Sequence, residues 1–165
     1  MGNIKTKEDL VGKHETIKEI EDHVKEIEGH VKHLKELREK LELDYDLDAV
    51  SEIQVVLKKL NKALDNLDEK LKNKDAIIAE VAKSPIYNIS PFAYIKAMKD
   101  VENVFGKAEE TIEEANKVID GLNDAIVEFK KALSDPYTRK MIMDREMARA
   151  RRYREMIEGH HSFMR

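Results

Sequence analysis

Apolar residues recur at alternating spacings of three and four along three long stretches of this 165-residue chain. The first stretch, residues 10–41, is interrupted by Lys13 and Arg38, and the second, residues 50–81, by Lys74. The third is unbroken and comprises Met98, Val101, Phe105, Ala108, Ile112, Ala115, Ile119, Leu122, Ile126, Phe129 and Leu133. In total 28 of 31 positions are apolar, against about 13 expected from a hydrophobic content of 41%. A seven-residue apolar period predicts an all-α fold of long helices packed along shared seams.

Turn and capping residues set the predicted helix boundaries. Ser90-Pro91 and Asp135-Pro136 each combine a favourable N-cap with proline at the first helical position. The predicted helices span about 7–43, 47–83 and 91–134, followed by an Arg-rich amphipathic helix within 135–165. Because the connectors are short, neighbouring helices should run in opposite directions. We therefore expect residues 1–134 to form an elongated antiparallel three-helix coiled-coil bundle, to which the C-terminal helix is added.

A third apolar row beside the seam favours a bundle over a two-helix rod, because it requires contact with two neighbours. This row consists of Ala49, Val56, Ala63 and Ile77 in the second helix, and of Ala97, Val104, Val118, Ala125 and Ala132 in the third. Three aromatic residues, Tyr87, Phe92 and Tyr94, lie where the second helix gives way to the third. We expect them to close that end of the core.

Composition and missing motifs argue against an enzyme. The chain has no cysteine, which excludes disulfides, thiolate catalysis and Cys-ligated zinc. It has no Gly-x-Ser-x-Gly elbow, phosphate-binding loop or dinucleotide glycine fingerprint. It also lacks a signal peptide and an apolar run of about 18 residues. We therefore expect a non-enzymatic cytoplasmic protein without a cofactor, a transmembrane segment or a small-molecule substrate.

One face of the first predicted helix carries a candidate metal site. Glu19, His23, Glu26 and His30 fall at i, i+4, i+7 and i+11, so two carboxylates and two imidazoles share that face. Such donors suit a borderline metal if a facing helix supplies further ligands. The alternative is that His23 and His30 are half-buried at the flank of the core, in the row that is apolar in the other helices.

The sequence Asp44-x-Asp46-x-Asp48 resembles the opening of a calcium-binding EF-hand loop. That loop requires glycine at its sixth position and glutamate at its twelfth, where this chain has Ala49 and Val55. We expect the three carboxylates instead to cap the second helix and to interact with its positive end.

The type of cation changes at residue 135. Residues 1–134 contain 21 Lys and one Arg, whereas residues 135–165 contain one Lys and seven Arg. The first part has 22 cations against 29 acids, net −7, and the second has 8 against 5, net +3. Arginine is a planar bidentate donor that suits carboxylate or phosphate, so the C-terminal helix is the candidate contact element. Its candidate partner- or phosphate-binding residues are Arg145, Arg149, Arg151, Arg152, Arg154, Met143 and Met147.

Three interpretations of this helix remain open. In the first, it docks on the acidic bundle of its own chain. In the second, it docks on another protein or a second copy, and its methionines adapt to the partner's groove. In the third, its arginines contact the phosphates of RNA or DNA, or an anionic lipid surface. The acidic residues Asp144, Glu146, Glu155 and Glu158 count against tight nucleic-acid binding. The function predicted first is an adaptor, spacer or assembly subunit. The alternatives are a nucleic-acid accessory protein and a metal-binding bundle.

Overall fold

The structure, a computed structural model, describes residues 14–83, 85 and 90–163, and the side chains of all of these except 160–163. In this part of the chain the regular elements are the helices α1 (Glu15–Asp44), α2 (Leu47–Leu71), α3 (Lys74–Ala82), α4 (Pro91–Ser134) and α5 (Pro136–Phe163). The prediction of an all-α helical bundle is confirmed. Helix α4 has the expected bounds, with the Ser90 hydroxyl accepting a hydrogen bond from the Ala93 N–H at 3.3 Å. The predicted start of the first helix lies outside the described residues.

The structure interrupts the helix predicted over 47–83. Helix α2 ends at Leu71, and α3 begins at Lys74, after two intervening residues. At the junction the Asn73 N–H bonds to the Lys70 carbonyl at 3.2 Å, the tighter i to i−3 pattern of a fraying helix end. The Lys74 ammonium lies 2.9 Å from the Glu102 carboxylate and 5.6 Å from the Phe105 ring centroid. The break therefore occurs next to Lys74, the polar residue of the seam, whose ammonium pairs with a carboxylate outside the core.

Ion pairs between helices show their relative directions. Glu19 pairs with Lys70, and His33 lies 3.0 Å from Glu52, so α1 and α2 run antiparallel. Residues 28 and 35 of α1 pair with residues 107 and 114 of α4, at 3.6 Å and 2.9 Å, so these two helices run parallel. The chain therefore runs up along α1, down along α2 and up again along α4.

Helix α1 is central to the core because it packs along both α2 and α4. Its buried residues are Ile17, Ile20, Val24, Ile27, Val31, Leu34, Leu37 and Leu41. Leu37 is thus buried where the seam pattern would have placed Arg38. The Arg38 guanidinium bonds to Glu42 at 2.7 Å and lies against Gly121 of α4, where a side chain would collide with it. The glycine explains how this arginine fits between the two helices.

In α2 the third apolar row is buried throughout, whereas in α4 two of its five residues are buried. Ala49, Val56 and Ala63 of α2 are buried, as are Ala97 and Ala125 of α4. The seam residues that face away from α1 are partly exposed: Val50, Leu57, Leu64, Leu71 and Ile78 in α2 and α3, and Met98, Ile112, Ile119, Ile126 and Leu133 in α4. The reason is that α2 and α4 both pack on α1 but approach each other at few positions.

Two of the three aromatic residues expected to close the core near the start of α4 do not do so. Phe92 is 82% exposed and Tyr94 is 41% exposed, so neither closes the core. The third member, Tyr87, lies outside the described residues. Among the described helices, none is long and apolar enough to cross a membrane.

Candidate interaction surface on the C-terminal helix

Helix α5 begins at a capped turn immediately after α4. The Asp135 carboxylate accepts hydrogen bonds from the Thr138 N–H at 3.2 Å and the Thr138 hydroxyl at 2.7 Å. These bonds lower the pKa of Asp135 below its usual value of 3.8. Pro136 occupies the first helical position, where no N–H donor is needed. The Arg139 guanidinium also bonds back to the Leu133 carbonyl at 2.9 Å, which ties the two helices together.

The first half of α5 docks on the turn between α1 and α2. Ile142 is fully buried and belongs to the core. The Arg145 guanidinium donates to the carbonyls of Asp44 and Tyr45, the latter at 2.6 Å. These carbonyls end α1 and have no partner within that helix, so Arg145 caps α1 from a distant part of the chain.

Tyr45 is the residue that turns the chain after α1. Its φ of 48° lies in the left-handed region, which costs a non-glycine residue about 1 kcal/mol. The Tyr45 ring stacks on Phe129 of α4 with centroids 6.1 Å apart, and its carbonyl accepts from Arg145. Contacts with both α4 and α5 therefore hold this turn in place.

Arg149 makes the last contact between α5 and the bundle. Its guanidinium lies 3.8 Å from the Asp46 carboxylate and 3.4 Å from Glu146 on its own helix. Asp46 is also the N-cap of α2, accepting from the Asp48 N–H at 3.0 Å. The expectation that this acidic turn caps the second helix is confirmed for Asp46.

Beyond Arg149 the helix leaves the bundle. Every residue from Arg151 to Gly159 is exposed, including Arg151, Arg152 and Arg154. We call residues 151–159 the distal segment. The large apolar side chains on and just before it are between 48% and 64% exposed, and they are Met143, Met147, Tyr153, Met156 and Ile157. Exposed apolar residues grouped on one short helix are typical of an interaction site.

The structure thus divides the candidate residues of the C-terminal helix into two groups. Arg145 and Arg149 make contacts within the chain, as the docking interpretation expects. Arg151, Arg152 and Arg154, with Met143 and Met147, lie on the surface. Ile142 and Tyr45 were not identified as anchors from the sequence. Ile142 belongs to the apolar face of the helix, but the spacing of apolar residues does not distinguish the buried residue of that face from the exposed ones.

The candidate metal residues of α1 do not assemble into a ligand set. Glu19 pairs with Lys70 of α2, whose hydrogen bond and charge lower the pKa of Glu19. Glu26 lies between His23 and His30, at 3.7 Å and 3.5 Å, and both imidazoles are half-buried at the edge of the core. In the described part of the chain, no group of three or more His, Asp or Glu side chains is placed to hold a metal ion.

Comparison with known proteins gives no functional lead: no protein-family model, curated protein or solved structure matches this chain.

Proposed function

We propose that this protein is a non-enzymatic interaction or assembly subunit, in which the bundle is a rigid frame and the distal segment of α5 binds a protein partner. One observation carries the proposal. The helix is anchored by Ile142, Arg145 and Arg149, and then continues with residues 151–159 exposed on every side. A free helix of this length is marginally stable in water, so a partner that covers Tyr153 and Ile157 would also order it.

The chemistry of the distal segment suits a groove on another protein. Methionine side chains are flexible and polarizable and adapt to irregular apolar surfaces. Tyr153 offers a large contact area at low entropic cost, and the flanking arginines suit carboxylates at the rim of a groove.

Site-specific photo-crosslinking tests this proposal. A photoreactive residue at Met156 should capture a defined protein partner, whereas the same residue at Tyr137, exposed at the anchored end of α5, should not. Ile157→Glu should weaken capture by roughly tenfold or more, since it places a charge in the apolar contact. Capture that is equal at both positions, or unaffected by Ile157→Glu, would contradict the proposal.

A nucleic-acid accessory function is the second candidate, because Arg151, Arg152 and Arg154 are exposed together on one short segment. It predicts binding to RNA or DNA that falls steeply with salt concentration and is lost when the three arginines are changed to alanine together. The neighbouring Glu155 and Glu158 are also exposed and oppose such binding. Binding that is insensitive to salt, or that survives the triple substitution, would contradict this alternative.

A further inference from the structure

An aliphatic groove runs between α2 and α4 on the side of the bundle away from α1. Its walls are the two seam rows that remain partly exposed, residues 50, 57, 64, 71 and 78 on one side and 98, 112, 119, 126 and 133 on the other. Each row has apolar residues at seven-residue intervals, the spacing that places side chains in line along a helix, except at position 105, where Phe105 is buried in the core. In the described structure no helix lies over this groove, although it is as regular as the buried seams.

Contacts across the groove fix the pairing of its walls. Leu71 and Ile112 line one open cleft of about 340 Å³, together with Asp68, Lys72 and Glu109. Because α2 and α4 run antiparallel, moving one heptad in opposite directions places Leu64 opposite Ile119. The groove therefore continues towards the turn between α1 and α2 as a series of paired aliphatic residues.

The rim of the groove is acidic at the α3 end. Asp68 and Glu109 line the cleft there together with Lys72, and nearby Lys74 pairs with Glu102 alone. The pKa of Lys74 is raised chiefly by its hydrogen bond to Glu102, and the charges of Glu109 and Asp75 add to that effect. In the part of the chain that the structure describes, no cation lies within 4.0 Å of the carboxylates of Asp68, Asp75 or Glu109. This rim therefore has carboxylates available for an incoming cation.

The distal segment of α5 has the complementary properties. Tyr153 and Ile157 are apolar and four residues apart, so they share one face, which Arg152 and Arg154 flank on opposite sides. Residues 151–159 span about 12 Å as a helix, slightly more than the roughly 10.5 Å along the groove from Leu64 to Leu71. Arg145 and Arg149 hold the helix on the turn between α1 and α2, and its distal segment does not touch its own groove.

We propose that the distal segment of α5 from one copy lies in the α2–α4 groove of a second copy. Tyr153 and Ile157 cover the aliphatic rows, and Arg152 and Arg154, on opposite sides of that face, pair with Asp68 and Glu109 at the two rims. If each copy donates its helix to the other, the exchange closes a symmetric dimer. This inference rests on the proposed function, because it identifies the partner of the same surface.

Sedimentation of the full-length chain is the first test. The wild type should form a dimer, and Ile157→Glu or Arg152→Glu with Arg154→Glu should weaken dimerisation at least roughly tenfold. These residues are exposed, so circular dichroism should show an unchanged helical content. Tyr137→Glu, at an exposed position on the anchored half of α5, should dimerise like the wild type. A wild-type chain that stays monomeric at high concentration would overturn the inference.

Charge exchange identifies the two surfaces. Asp68→Arg with Glu109→Arg should also weaken self-association. Mixing this variant with the one that carries Arg152→Glu and Arg154→Glu should restore a mixed dimer. Suppose instead that the helix variants abolish the dimer while the groove variant leaves it unaffected. That result would overturn the inference, since it would show that two α5 helices pair with each other.

Disulfide trapping provides a test that requires no change in affinity, because the chain has no cysteine. Met156→Cys mixed with Asn116→Cys at the groove rim should form a cross-linked dimer under mild oxidation. Glu36→Cys, exposed on the outer side of α1, is the matched control and should not cross-link. Equal cross-linking of both positions would overturn the inference.

The failure of this inference is distinguishable from failure of the proposed function. If the chain is monomeric but photo-crosslinking at Met156 captures a different protein in an Ile157-dependent manner, the groove inference falls and the proposed function stands. If neither the chain nor any partner is bound through Met156, both fall.

Discussion

Glycines inside α4 give a direct test of local packing at the scale of single residues. An added Cβ at Gly106 would meet no heavy atom within 4 Å, whereas at Gly121 it would collide with the Arg38 guanidinium. We expect Gly106→Ala to raise the free energy of unfolding by about 0.5–1 kcal/mol, because alanine is the better helix former. Gly121→Ala should gain less, since Arg38 must move. Urea unfolding measures both, and a larger gain at Gly121 would contradict the described approach of α1 and α4.

The Glu19–Lys70 pair predicts a pH dependence of stability. Lys70 lowers the pKa of Glu19 below its ordinary value of 4.5, so the charged form is favoured in the folded state. The stabilisation should be fully present above that ordinary value and lost as pH falls through the lower folded-state pKa. Compared with wild type, Glu19→Gln should therefore be less stable at about pH 7, and the difference should shrink as pH falls below the ordinary pKa of 4.5. The exposed Glu21→Gln is the control and should show a smaller change; a pH-independent difference for Glu19→Gln would exclude this role.

At the scale of elements, α5 should come loose when its buried anchor is shortened. Ile142→Ala removes most of a fully buried side chain from the docked half of the helix. Trypsin should then cleave after Arg145 and Arg149, which are protected in the wild type by their contacts with the turn between α1 and α2. Cleavage after Arg152 should be rapid in both proteins. If Ile142→Ala does not alter the cleavage pattern, Ile142 is not the anchor.

Helix boundaries can be predicted from the sequence where a local signal marks them. Serine or aspartate followed by proline marks the start of α4 and α5, and both starts agree with the prediction. The end of α2 at Leu71 has neither proline nor glycine; the one local sign is Lys74 in the seam, which is also compatible with a continuous helix. Leu37 was missed as a core residue because Arg38 also fits the seven-residue spacing, and tertiary packing decides between them.

For the candidate site, the change from lysine to arginine is the sequence signal that singles out the C-terminal helix. It could not divide that helix into an anchored and an exposed half, because both halves have the same residue types. The division depends on the backbone carbonyls of Asp44 and Tyr45, which lie about a hundred residues earlier in the chain and accept hydrogen bonds from Arg145. These carbonyls need a donor because α1 ends there. Backbone groups have no signature in the sequence, so this contact was not predictable.

At the scale of the whole molecule, the core lies along α1 and the groove between α2 and α4 is less buried. Leu67 is fully buried beside α1, and Leu64, one turn earlier on the same helix, is partly exposed in the groove. Leu67→Ala should cost about 2–5 kcal/mol of unfolding free energy, and Leu64→Ala about 1–2 kcal/mol. Chemical unfolding at low protein concentration measures the pair. Equal costs would contradict the position of the core.

The central claim is that one continuous helix, α5, is docked along its first half and free along its distal segment. Hydrogen exchange of the dilute, monomeric chain measures this most directly. Amides from Ile142 to Arg149 should exchange slowly. Amides from Arg151 to Gly159 should exchange fast, because these residues are exposed and no tertiary contact protects them in the described structure. Uniform protection along α5, or fast exchange throughout it, would contradict the account.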